Sequence, residues 1–231
     1  MILYGRNPIR EAVRAGRRPV HRVWATRGAA ADPWLRGIEV LEARPEEIAA
    51  RAGSDAHQGL CAEAGPYPYV DDAELLERSA PLVVALDELQ DPQNLGAICR
   101  TAECVGADGV VIPERRSAEV TPAVCKASAG AVEHLAIARV RNLADFLAAA
   151  KDAGCWCYGA AVDGGGPYLE PDYSGGCVLV IGAEGRGLRP RVAAACDQLV
   201  ALPMRGRVQS LNASAAAAAL LYGILQRRQG A

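Results

Sequence analysis

Ser210, Asn212 and Ser214 stand within five positions of one another in PMRGRVQSLNASAAAAALLYGIL, Pro203 to Leu225, just where an alanine-rich helix should begin. A helix uses one side-chain oxygen at its N-cap, so this stretch holds more polar groups than capping requires. Two further loops are rich in groups that do chemistry. GAEGRGLRP sets Glu184 among Gly182, Gly185 and Gly187, and DELQDPQNLGAICRTAE brings Asn94, Arg100 and Glu103 on or just before a helix. Amides, a hydroxyl, a carboxylate and a guanidinium are the groups that align a polar substrate and stabilise charge developing on oxygen. Each also has a structural reading: Asn94 as an N-cap, Arg100 with Glu103 as an i,i+3 ion pair, the glycines as a tight turn. The glycines spell G-x-x-G-x-G, the reverse of the dinucleotide order. They follow the fifth predicted strand of their unit, not the first, and no acid at a strand end ~20 residues on is placed to hold a ribose. A G-K-[ST] phosphate loop occurs nowhere in the chain.

The elements that must position these groups are short. From residue 81 onward, the runs PLVVALD, GVVIP, LAIARV, CWCYGAA, CVLVIG and QLVALP read as strands. Between them the pattern predicts helices over about 95–105, 122–131, 143–153, 190–196 and 213–226. This alternation is that of a parallel sheet covered on both faces, and in such sheets sites form at the carboxyl ends of strands. All three loops lie there. Before AGPYPYVDD, whose Gly65, Pro66 and Pro68 break both patterns, sits a smaller α/β unit. It is expected to contain a helix capped by Asn7, with Pro8 first, running to Gly16. HRVWAT, IEVLEA and GLCAEA read as its strands, around a helix over 45–52.

Composition narrows the class. With 231 residues and 51% hydrophobic content the chain can fill a real core. Its eight cysteines sit singly in apolar segments without a C-x-x-C, so they read as buried, reduced thiols with no metal site. Cys155 and Cys157 should share one face of a strand, with Trp156 on the other. No apolar run is long enough to cross a membrane and no signal sequence opens the chain, which points to a cytoplasmic protein. Net charge is −2, yet residues 1–27 hold seven arginines against the single acid Glu11. That segment is either a solvated face or a phosphate-binding surface.

DPQNLGAICRTAECVGADGVVIP, LVIGAEGRGLRP and LPMRGRVQSLNASAAAAALLYGIL resemble, in this order, the three motifs of the SpoU (TrmH-type) RNA 2′-O-ribose methyltransferases. KASAGAVEHL and YGRNPIREAVRAG are further similar to the branch that modifies a guanosine ribose in 23S ribosomal RNA. The resemblance covers nearly the whole chain. It implies a SPOUT-type α/β domain over 81–231, its parallel sheet tied in a deep trefoil knot, a rare exception to the rule against knots. Residues 1–64 would be an RNA-binding module similar to ribosomal protein L30e, and 65–80 a linker and connecting helix. S-adenosyl-L-methionine would sit in the knot against Gly182, Leu202 and Leu211, with Gly185 and Met204 nearby. Asn94, Arg100, Glu184, Ser210 and Asn212 would compose the catalytic site, and Arg6, Arg10 and Arg18 would hold RNA phosphates. The family's proposed base is Arg100, but a guanidinium stays protonated. Our reading gives Arg100 the phosphate and the developing alkoxide, and leaves the proton's acceptor open. The histidine in the motif region, His134, reads as structural. A homodimer is also implied, with the apolar faces of helix 95–105 and of the C-terminal helix between subunits. Substrates left open are a transfer RNA guanosine and a ribosomal adenosine whose methylation confers antibiotic resistance. A catalytically silent RNA-binding assembly factor is the alternative outside enzymology.

Overall fold

The computed structural model of the chain describes residues 1–208 and 210–230; Gln209 and Ala231, both inside the predicted 81–231 unit, lie outside the described residues. Residues 2–64 build a four-stranded sheet from β1 (Ile2–Tyr4), β2 (Val20–Ala25), β3 (Val40–Glu42) and β4 (Leu60–Ala64), in the order β1-β4-β2-β3. Only β2 and β3 run parallel. Helices α1 (Arg6–Ala15), α2 (Arg27–Ala30) and α3 (Pro45–Ala52) connect them. The sequence reading missed β1, and with it the start of α1. Gly5, at φ 89°, makes the turn directly from β1, so the helix begins at Arg6 without a side-chain cap and Asn7 is already inside it.

The second sheet is the predicted parallel one, with seven strands. They are β5 (Leu82–Asp87), β6 (Gly109–Pro113), β7 (Ala136–Val140), β8 (Trp156–Ala160), β9 (Gly166–Pro167), β10 (Cys177–Gly182) and β11 (Gln198–Ala201). The helices are α4 (Pro92–Cys104), α5 (Pro122–Ala127), α6 (Leu143–Asp152), α7 (Pro190–Ala195) and α8 (Ala213–Gln229). α5 stops earlier than expected because Ala129 and Gly130 take positive φ and a short 3-10 turn, Ala131–Glu133, follows. Strand alternation divides the core. Val84, Leu86, Val110 and Leu179 pack with Leu95, Ile98 and Leu221 on the α4–α8 side, while Val83, Ala85, Val111 and Val180 meet Phe146, Leu147 and Val192 on the α6–α7 side. Full burial of each of these valine, leucine, isoleucine and phenylalanine side chains contributes about 1.5–3 kcal/mol.

The order β7-β6-β5-β10-β8-β11-β9 positions the site. β10 inserts between β5 and β8, so sequence order reverses at the β5–β10 boundary and the loops after β5, β8, β10 and β11 gather at one end of the sheet. α8 then packs back against α4. This consumes part of the face expected between subunits: Leu95, Ile98, Cys99, Ala102 and Val105 are all buried within the chain. Cys104 departs from the expectation of buried thiols and lies exposed at the end of α4, whereas Cys155 and Cys157 are buried and Trp156 is exposed, as strand alternation requires.

The two sheets are joined by more than a tether. In the expected linker, the Tyr67 hydroxyl lies 2.8 Å from the Val132 carbonyl oxygen, and the Tyr69 hydroxyl accepts from the Val120 N–H at 2.8 Å. Arg18, expected on the surface to hold phosphate, is instead only 6% exposed. Its guanidinium forms two bonds to the Glu133 carboxylate, that from Nε at 3.0 Å, and donates to the Gly65 carbonyl oxygen at 3.1 Å. A charge this deep persists only when paired and hydrogen-bonded, so Arg18 is a structural fastener. His134, the histidine read as structural, meets Glu11 of α1 at 3.0 Å. Burial raises the Glu11 carboxyl, but the bonds from His134 and Arg10 outweigh it and hold the group below its ordinary range.

Candidate active site

The first loop enters the site through a helix start. Asp91 caps α4 by accepting from the Gln93 N–H at 2.9 Å, and Pro92 occupies the first helical position. Asn94 is therefore free of capping, and it is turned inward at 5% exposure. Its amide Nδ2 donates to Glu184 Oε2 at 3.3 Å, while its Oδ1 accepts from Asn212 Nδ2 at 2.9 Å. Asn212 Nδ2 also lies 3.2 Å from Glu184 Oε1. On its other side Asn212 caps α8, its Oδ1 accepting from the N–H groups of Ser214 at 2.9 Å and Ala215 at 3.3 Å. With its oxygen on donors and its nitrogen on acceptors, this amide has a single orientation that satisfies every partner. Three residues from three loops thus close into one network.

Ser210 lines the cavity beside this network. Arg100 lies outside it, six residues beyond Asn94 and so about 9 Å further along the axis of α4. It is exposed, and among the described residues its guanidinium forms neither the alternative Glu103 ion pair nor any hydrogen bond. Asn94, Glu184 and Asn212 are therefore brought into contact, Ser210 is set in the adjoining wall, and Arg100 is left unengaged.

The cavity encloses about 510 Å³, and Gly182, Gly185, Leu202, Met204 and Leu211 all line it. Its glycine wall is a tight knuckle. Gly185 and Gly187 take φ of 75° and 65°, and the Gly187 N–H donates back to the Ala183 carbonyl oxygen at 2.9 Å. A Cβ on Gly182 would come within 2.2 Å of the Gly187 carbonyl carbon, so the backbone itself excludes any other residue. Behind the knuckle, Asp87 at the end of β5 is 1% exposed. It accepts from the Arg189 backbone N–H at 2.8 Å and from Arg189 Nε at 2.7 Å. That bond raises the Arg189 guanidinium above its ordinary value and clamps the loop's far end.

Sequence reasoning missed this Asp87–Arg189 brace, and it missed a fourth loop: Ala160, Ala161, Val162 and Asp163, after β8, also line the cavity. That loop, AAVDGGG, also follows a strand end, but it offers one charged group, Asp163, where each of the three selected loops offers several polar or charged groups. Ile181, Leu199 and Leu220 supply apolar lining, with Asp163, Glu184, Arg186 and Ser210 as polar groups toward its edge. Such a cavity suits a ligand with an apolar body and one reacting polar edge. Thiol chemistry has no place in it, since Cys99, Cys125, Cys157 and Cys177 lie elsewhere and burial pushes each to about 12. Among the described residues no three His, Cys, Asp or Glu side chains gather as metal ligands, and no helix is long and apolar enough to cross a membrane. Of the other residues expected to hold phosphate, Arg6 is paired with Asp32, and Arg10 Nε donates to Glu11 at 2.8 Å.

Comparison with known proteins covers both sheets. Residues 81–222 match the model of the SpoU rRNA Methylase family, and residues 2–70 match that of RNA 2′-O ribose methyltransferase substrate binding. A tRNA/rRNA methyltransferase of Mycolicibacterium paratuberculosis is 39% identical over 98% of this chain and 77% of its own length. A TrmH family tRNA/rRNA methyltransferase of Bacillus subtilis is 36% identical over 97% of this chain and 94% of its own. Among solved structures, the SpoU methyltransferase AviRb from Streptomyces viridochromogenes, in complex with AdoMet, superposes with a TM-score of 0.84 at 28% identity, covering 99% of this chain and 90% of that one.

Proposed function

Because this chain belongs to the SpoU RNA methyltransferase family, we propose that its three gathered loops methylate a ribose 2′-hydroxyl, and that the target is a guanosine of 23S ribosomal RNA. The observation that carries the chemistry is the contact of Asn94, Glu184 and Asn212 beside a cavity walled by the last two motif loops. The cavity fits S-adenosylmethionine, since its volume lies in the usual range for such ligands, roughly 300–1,000 Å³, and its glycine knuckle offers backbone groups at close range. Gly182, Gly185, Leu202, Met204 and Leu211 would hold it. When bound, S-adenosylmethionine supplies an electrophilic methyl group.

The chain's own residues must then align the 2′-hydroxyl and take its proton. Asn94 and Asn212 fix both oxygens of Glu184, leaving each with a spare lone pair. Glu184 is the one carboxylate among the five site residues and is the proton's acceptor in this account. Ser210 faces the ribose and Asn212, its amide fully engaged, acts on it by holding Glu184 in place; alignment of this kind supplies much of a barrier reduction. Arg100 keeps its proton, grips a phosphate of the RNA and stabilises the alkoxide as it forms.

Residues 1–64 would act as the substrate-binding domain, 65–80 as its docked connection and 81–231 as the methyltransferase domain with the trefoil knot, in the cytoplasm. A homodimer fits the outer face of α8, where Ala215, Ala219 and Tyr222 are exposed; a monomer by light scattering at micromolar concentration would remove it from the account. The ribosomal target is supported by the family description of residues 81–222 and by the substrate-binding domain ahead of it. Transfer RNA is the second reading, since the names of the relatives give transfer and ribosomal RNA together. Mapping 2′-O-methyl groups in both RNAs from cells with and without the gene decides. Loss of one 23S guanosine mark supports the proposal, and loss of a transfer RNA mark alone refutes it.

A further inference from the structure

We propose that the RNA backbone is gripped at the mouth of the cavity by Arg186, Arg205 and Arg207, which carry more of the phosphate binding than the arginine-rich N-terminal segment. This rests on the reading of the site as an RNA methyltransferase. Arg186 lines the cavity, and Arg205 and Arg207 lie in the stretch between Met204 and Ser210, both of which line it. All three are exposed, and among the described residues none of the three guanidiniums forms an ion pair or a hydrogen bond. The segment from Pro203 to Asn212 contains no acid. Two carboxylates line the cavity, Asp163 and Glu184, and both oxygens of Glu184 already accept amide bonds. Arg100, also without an ion pair or hydrogen bond among the described residues, adds a further cation on α4.

The N-terminal segment is the reverse case. Its charge is large by count but small by placement. Arg6 pairs with Asp32, Arg10 and Arg14 share Glu11, Arg18 is buried on Glu133 and Arg22 meets Glu39. Arg17 donates to the carbonyl oxygens of Leu135, at 2.6 Å, and Pro68, at 3.2 Å. Only Arg27 of the seven has no partner among the described residues. An arginine already neutralised by a carboxylate must break that pair before it neutralises a phosphate, whereas a free one displaces a condensed counterion directly. Arg186, Arg205 and Arg207 also stand where the reacting ribose must come, so phosphates held there would set the register of the strand.

The test is a salt titration of binding to deproteinised ribosomal RNA by wild type, R205Q/R207Q, R205K/R207K and the triple variant Arg6→Ala, Arg10→Ala, Arg14→Ala. For R205Q/R207Q the log–log slope should fall by about 1.4–1.8, roughly 0.7–0.9 for each lost phosphate contact, while S-adenosylhomocysteine affinity by calorimetry stays unchanged. The lysine variant should keep the wild-type slope, and the N-terminal triple variant should lose less slope than R205Q/R207Q. A wild-type slope in R205Q/R207Q, or a larger loss in the N-terminal variant, overturns the proposal. Methyl transfer by the wild type is measured alongside. If the wild type methylates no RNA, the functional reading falls; if it methylates normally and the slope does not move, only the arginine grip falls.

Discussion

Asn212 does two jobs with one amide, and they can be separated. Its oxygen caps α8 and its nitrogen reaches Asn94 and Glu184. Asn212→Ala should therefore cost about 0.5–2 kcal/mol of stability as a lost cap. It should also lower single-turnover methylation by at least ~100-fold, the scale of one lost transition-state contact. Arg100→Ala should match the kinetic loss without the stability loss, because Arg100 is exposed and engages no partner among the described residues. Thermal melts beside single-turnover rates distinguish the two variants, and a wild-type rate for Arg100→Ala would refute its assigned role. Arg100→Lys keeps the charge but not the planar fork, so poor rescue is expected. The surplus polarity at Ser210, Asn212 and Ser214 was legible because a cap needs fewer groups. That Asn94 is not a cap was not legible, since Asp91 and Asn94 both suit an N-terminus by type and only their placement on α4 separates them.

At the scale of elements, the long strands were readable from unbroken runs of Val, Ile and Leu, as buried parallel strands require. β1 and β9, of three and two residues, have no run to read. Pairing defines them, and pairing is non-local. The same limit hid the Asp87–Arg189 brace, which joins residues 102 positions apart. The glycine knuckle was visible as a motif, but its reason is structural: Gly182 faces the backbone of Gly187 at a distance no Cβ tolerates. Gly182→Ala should consequently abolish measurable S-adenosylmethionine binding while leaving RNA binding intact. Calorimetry with the cofactor and filter binding with RNA check it, and wild-type cofactor affinity in that variant would mean that the knuckle is not the cofactor wall.

Across the whole molecule, the Arg18–Glu133 pair joins the substrate-binding domain to the methyltransferase domain over 115 positions. By sequence Arg18 belongs to a basic segment, because nothing local reveals a partner so distant. Removing one member of a buried pair leaves the other charge uncompensated, so Arg18→Ala should destabilise the chain by about 3–5 kcal/mol. Urea unfolding measures this, and an unchanged midpoint would return Arg18 to the surface. The central claim, that the loops after β5, β10 and β11 transfer a methyl group to a ribose oxygen, has a direct chemical test. Alkali cleaves RNA through attack of the 2′-hydroxyl on its neighbouring phosphate, and a 2′-O-methyl group blocks that cut. RNA labelled by this protein from S-adenosylmethionine with a tritiated methyl group should, after complete alkaline hydrolysis, release its label as alkali-resistant dinucleotides. Label recovered in mononucleotides, as a methylated base would give, would contradict the account.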